Sequence, residues 1–230
     1  MFRQIFAINF LLGNNFYRYY NYPILSYPIL IMDKGDILGY FLIGLVLFVC
    51  AYMYYDNADS FQLKCIVSSV DGNKYCVRER DKLQKAADLL ANMTVKCRKL
   101  VDYVGEQHPD LDNVKRLVTG FNPKKIMETL PTSEFTAYSE NKGEKLAFCL
   151  NRSKKDNDNL IDENTLMFVA IHELSHIMTK SIGHKKEFWD NFKFLLENAK
   201  ESGIHNPVDY KKEPQEYCGM EIHDSPYYDI

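Results

Sequence analysis

The chain has 230 residues, with 28 Lys and Arg against 31 Asp and Glu, a formal net charge of −3 at pH 7 and a pI near 6.1. That length supports one sizeable domain. The near-balanced charge, with no basic stripe, argues against a nucleic-acid partner.

Residues 1–31 show no helical periodicity, and Tyr-Pro-Ile-Leu occurs twice, at 22–25 and 27–30. Residues 1–36 are therefore expected as an irregular segment. Met32 opens Met-Asp-Lys-Gly-Asp and is a candidate second start of translation; N-terminal mass analysis that finds residues before Met32 would end that idea. From Ile37 to Tyr55 run nineteen residues without a charge. The length matches a bilayer, and tyrosines at the far end suit its interface. A buried core helix of this length would carry a polar face, which this run lacks. A cleaved signal peptide would show a small-residue cleavage site before Asp56, and none follows. We therefore expect a single-pass membrane anchor.

Charge does little to orient that anchor: Arg18 and Lys34 precede it and Lys64 follows it. Five cysteines, Cys65, Cys76, Cys97, Cys149 and Cys218, lie beyond it, while Cys50 sits within it. Two glycosylation sequons, beginning at Asn92 and Asn151, also lie beyond the anchor. Both features point to a domain on the lumenal or extracellular side.

Residues 57–230 read as one α+β domain. Phe61–Val70 and Lys74–Arg78 flank Asp71-Gly72-Asn73, a hairpin signal. Residues 79–105 predict a long amphipathic helix with Leu83, Ala87, Leu90, Thr94, Cys97 and Val101 on its core face, ended by His108-Pro109. A short helix is expected around 112–119, and another short helical piece after Asn122, ending near Pro131. Phe135–Ser139 and Lys145–Leu150 bracket a second hairpin turn at Asn141-Lys142-Gly143. Arg152–Asp162 is a polar loop whose acidic spacing does not match a calcium loop, and Asp162 or Asn164 is positioned to cap the next helix.

That next helix carries the most informative stretch, His172-Glu173-Leu174-Ser175-His176. Histidines four residues apart share one helix face and can hold one metal ion. Glu173 lies beside them, where it can take a proton from a metal-activated water. The apolar residues Leu166, Met167, Ala170, Ile171, Leu174, Ile177 and Met178 cover a broad arc, with Phe168 and Val169 flanking the histidines, so the helix is buried. Buried imidazoles need partners, and a metal is a good one. A catalytic zinc takes three protein ligands and keeps a fourth position open. His184 is the candidate third ligand, because Gly183 lets the chain turn back. The alternative is a glutamate on the helix expected over 185–201. There Phe188, Trp189, Phe192, Leu195, Leu196 and Ala199 form one face, which leaves Glu197 and Glu201 on the solvent side. In the tail after Ile204, Tyr210 and Tyr217 are candidate donors to a tetrahedral intermediate, and Gly219-Met220 could supply a methionine beneath the metal. The blander expectation is that this tail wraps the domain surface.

HELSH followed by a glycine-containing turn and GHKKEFW resembles the Wss-like metalloprotease (WLM) domain and its SprT-like and YgjP-like relatives. The resemblance covers about Leu166 to Leu196. It implies a zincin-like fold, with His172, His176 and His184 as zinc ligands, Glu173 as catalytic acid/base, and Phe188 and Trp189 packing the next helix under the site. It further implies that the second hairpin binds substrate backbone as an edge strand. Seven residues separate His176 from His184, where family members usually have five. The best-known members cut proteins crosslinked to DNA, a substrate for which the acidic pI here gives no support. Membrane-anchored versions resemble proteins of large DNA viruses, which implies a viral or host internal membrane. The expected activity is zinc-dependent hydrolysis of peptide bonds in a protein or peptide substrate. The competing possibilities are a metal-stabilised membrane or virion scaffold that cuts nothing, against which Glu173 counts, and an amidase acting on a non-peptide bond.

Overall fold

A computed structural model describes residues 34–57, 63–153 and 159–229. The expected irregular segment before the anchor and the candidate start at Met32 lie outside these residues, apart from 34–36, which are helical. Two units divide the chain after Val49. Helix α1 (Lys34–Asn57) is long and apolar enough to cross a membrane over Asp36–Tyr54. The large apolar side chains from Ile37 to Tyr54 are exposed.

The remainder is mixed α and β. Strands β1 (Leu63–Val67) and β2 (Lys74–Arg78) form the first hairpin in antiparallel register, with Cys65 opposite Cys76 and a disulfide between them. Helix α2 (Leu83–Gln107) buries Ala86, Ala87, Leu90, Met93, Cys97, Leu100, Val101 and Val104. It begins four residues later than its periodicity predicts, because Arg78 and Arg80 are drawn into the interior: the Arg78 N–H and the Arg80 guanidinium both donate to the Glu128 carboxylate. Helix α3 (Asp112–Gly120) follows where expected.

Residues 126–128 correct one expectation. They are a strand, β3 (Ile126–Glu128), and not a helical piece; β3 runs parallel to β5, with Ile126 opposite Leu146 and Glu128 opposite Phe148. The inward alternation of Ile126 and Glu128 shows why. Glu128 is fully buried against the two arginines, so a residue that favours helices locally is held in a strand by tertiary charge pairing. Strands β4 (Ala137–Glu140) and β5 (Lys145–Phe148) form the second expected hairpin, giving a sheet ordered β3-β5-β4 with β4 at its edge. At the turn, Gly143 has φ +104, and an added Cβ would lie 2.4 Å from the Gly120 carbonyl oxygen and 2.8 Å from Ile177 Cδ1. Only glycine permits this approach.

Helix α4 (Glu163–Met178) packs against α2, α3, β4 and α5 (Lys186–Glu201). The tail does more than wrap the surface. It forms a third hairpin, β6 (Gln215–Tyr217) and β7 (Met220–Ile222), tied to β5 by the Cys149–Cys218 disulfide and by Cys218 N–H to the Asn151 carbonyl. The sequon at Asn151 is also corrected. Its side chain is fully buried and accepts from Arg80 Nη1 at 2.6 Å, so it has no room for a glycan.

A candidate metal centre on helix α4

The Asp162 side chain accepts from the Thr165 N–H at 2.9 Å, fixing the start of α4. The other candidate cap, Asn164, instead joins the chain at Asn206 through two hydrogen bonds. Leu166, Met167, Ala170, Ile171, Leu174, Ile177 and Met178 are all buried, so core packing sets the rotation of the helix. That rotation leaves His172 and His176 half-covered on one side, their ring centroids 5.0 Å apart.

The turn from α4 to α5 brings His184 to the same place. Gly183 takes φ +79 with open space around it. Arg116 Nε donates to the Met178 carbonyl at 3.0 Å, and Glu187 accepts from the N–H groups of Lys180 and Ser181 at 3.0 and 3.2 Å. From the β4–β5 turn, Lys142 Nζ donates to the carbonyls of His176, Thr179 and Ser181 at 3.1, 2.7 and 3.0 Å. Arg116 and Lys142 satisfy carbonyls at the end of α4 and in the turn, Glu187 holds two N–H groups of that turn, and together they fix the seven-residue connection that delivers the third histidine.

The ligand atoms of His172, His176 and His184 lie within 4.8 Å of one another. The Nε2 atoms of His172 and His184 are 3.1 Å apart. Nitrogens bound tetrahedrally to one zinc would sit about 3.3 Å apart, given Zn–N near 2.0–2.1 Å, so the donor set fits a single ion. Burial pushes the His172 pKa down to about 3 and that of His176 to about 4, with neighbouring imidazoles adding to both shifts. Both rings are therefore neutral near pH 7, with lone pairs free to ligate. Phe188 lies against all three rings, at centroid distances of 4.8, 4.4 and 4.6 Å. A phenylalanine thus occupies the place expected for a methionine. Met220 instead lies half-exposed on β7.

Glu173 is 5% exposed, and burial alone raises its pKa to about 8. It opens, with His172, into a cleft of about 420 Å³. Thr136 and Ala137 form the sheet side of this cleft, and Met220, Ile222 and Tyr217 come from the third hairpin. Trp189 was expected on the buried face of α5. It is 45% exposed at the cleft, with Nε1 donating to the His184 carbonyl at 3.1 Å. Of the candidate tyrosines, Tyr217 lines the cleft and donates to the Thr136 carbonyl at 3.2 Å, whereas Tyr210 is buried against Phe168 away from it. Glu197 and Glu201 are exposed, on the solvent side of α5. The cleft wall from β7 and the Lys142 clamp escaped the sequence reading. The turn residues flanking Lys142 signalled the hairpin, but nothing local signals what Lys142 reaches.

No family model matches the chain. It is similar to three viral proteins. The uncharacterized protein R325 of Acanthamoeba polyphaga mimivirus is 26% identical over 182 residues, covering 77% of this chain and 91% of that one. Uncharacterized protein 136R of Invertebrate iridescent virus 6 is 28% identical over 103 residues, 44% of this chain and 56% of that one. Uncharacterized protein 042R of Invertebrate iridescent virus 3 is 39% identical over 59 residues, 26% and 36% of the two chains. Among solved structures, Wss1 from Saccharomyces cerevisiae is similar at 18% identity with a TM-score of 0.41, over 54% of this chain and 86% of that one. A mutant of the same protein gives 16% identity and a TM-score of 0.43, over 56% and 91%.

Proposed function

We propose that this chain is a zinc-dependent metallopeptidase of zincin-like fold, tethered to a membrane by α1. One observation carries the proposal: three imidazoles converge within 4.8 Å beside a buried glutamate that opens into the same cleft. His172, His176 and His184 would hold the zinc. When bound, the metal supplies a Lewis acid that lowers the pKa of water and polarises a carbonyl. Glu173 takes a proton from the attacking water and returns it to the leaving amine. Burial keeps its pKa near the working range of a general acid/base.

Tyr217 lines the same cleft with its hydroxyl donated to the Thr136 carbonyl, so it holds the third hairpin against the sheet edge. Strand β4 receives substrate backbone. Thr136 accepts from the Cys149 N–H, so by antiparallel alternation the main-chain groups of Ala137 and Ser139 point to the open edge. Two disulfides support a domain on the lumenal or extracellular side, and similarity to viral proteins supports a viral or host internal membrane.

Glu173→Gln in the detergent-solubilised full chain tests the proposal. Zinc should be retained while peptide cleavage falls by roughly 10²–10⁴-fold, the usual contribution of a general acid/base. Cleavage that survives the substitution would remove Glu173 from the mechanism. A metal-stabilised scaffold predicts zinc retained and no cleavage by either protein.

A further inference from the structure

The cleft beside Glu173 is walled by apolar side chains that the proposed chemistry does not use. Phe168 and Val169 lie one helical turn before His172 and Glu173, so they stand on the same side of α4 as the reacting groups. Trp189, Met220 and Ile222 complete the wall, and Trp189 and Met220 leave 45% and 50% of their surface uncovered at its mouth. Uncovered large hydrophobic groups gathered around one concavity mark a binding surface. Glu221, His223 and Asp224 also line the cleft, and among the described lining residues there is no lysine or arginine. Asp224 is held by Lys211 at 3.1 Å, which leaves Glu221 as an exposed carboxylate without an ion pair among the described residues.

We infer that this cleft selects peptides carrying a bulky apolar residue next to the scissile bond and rejects acidic ones. Met220 and Ile222, in the third hairpin, are then the specificity-determining residues. This rests on the metallopeptidase reading. An apolar side chain buries itself against Phe168, Val169 and Met220, displacing water from surfaces that hold it poorly. An Asp or Glu side chain gives up its hydration among these apolar groups and meets Glu221, a carboxylate of its own sign.

The test uses the full chain in detergent with zinc present, and quenched-fluorescent peptides that differ at single positions flanking the cleavage site. Leu, Met or Phe at one such position should be cleaved ten- to hundred-fold faster in kcat/KM than Asp, the range expected for a hydrophobic pocket. Met220 is half-exposed, so Met220→Lys should fold normally, keep its zinc, and reduce the Leu-over-Asp ratio at least tenfold. Met220→Ala should weaken Leu cleavage without admitting Asp. A flat profile at every flanking position, or an unchanged ratio in Met220→Lys, overturns the specificity assignment while leaving the peptidase reading in place. A chain that binds no zinc and cuts no peptide overturns both.

Discussion

Glu128 and Glu173 are both buried carboxylates, yet their surroundings differ in kind. Glu128 is fully buried between Arg80 and Arg78, which also gives it a backbone N–H at 2.7 Å. Burial lifts its pKa, and the Arg80 guanidinium is the strongest of the groups opposing that lift. Glu173 is nearly as buried, and burial is the sole cause of its raised pKa. A fold that supplies two guanidiniums to one carboxylate and none to the other is using them differently. The paired glutamate ties the β1–β2 hairpin and the following segment to β3. Glu173, without an ion pair among the described residues, faces the cleft beside three histidines, where its raised pKa suits proton transfer.

The largest expected effect breaks this comparison most simply. Glu128→Ala strands two buried arginines and should cost about 3–5 kcal/mol of stability. Glu173→Gln should change stability by less than about 1 kcal/mol, because no ion pair is lost. Urea unfolding of the two variants, both without metal, measures the difference; equal losses would erase the distinction between the sites.

The two disulfides extend the contrast. Cys149–Cys218 spans 69 residues and Cys65–Cys76 spans 11. In the chain-entropy model their removal costs about 4 and about 3 kcal/mol respectively. The difference in activity should be sharper than that in stability. Cys218→Ser frees the hairpin that carries Tyr217 and Met220 and should lower kcat/KM, whereas Cys76→Ser acts on a hairpin that contributes nothing to the cleft lining. Peptide cleavage under conditions where both variants stay folded separates them, and equal activities would remove the third hairpin from the site.

The effect at His205 is confined to a pH window. Burial depresses its pKa from 6.5 to about 4, with Lys96 adding to the shift. The unfolded chain therefore binds more protons than the folded one between those values. Stability present above pH 6.5 is lost as the pH falls towards 4, by up to roughly 3 kcal/mol. His205→Gln should flatten the stability profile in that window relative to the parent, since the other buried histidines titrate alike in both proteins. A parallel profile would mean that His205 is not buried neutral.

What the sequence made legible was whatever rests on local pattern. The run from Leu166 to Met178 carries its own periodicity and its two histidines, and narrows its cap to Asp162 or Asn164. Asp71-Gly72-Asn73 and Asn141-Lys142-Gly143 announce their hairpins through turn chemistry. What stayed hidden depends on partners far along the chain. Ile126–Glu128 becomes a strand because β5 and two arginines some fifty residues upstream claim it. Lys142 reaches the end of α4 across 34 to 39 residues. Tyr217 to Ile222 become a cleft wall only after Cys218 meets Cys149. Trp189 follows the apolar stripe of α5 yet faces the cleft, a distinction that periodicity cannot make between core and pocket.

The most direct measurement is the zinc content of the purified full-length chain beside its His184→Ala variant. One zinc per chain, lost or bound far more weakly in the variant, is the predicted result. No zinc in the parent, or one zinc held equally by both, would contradict the three-histidine centre.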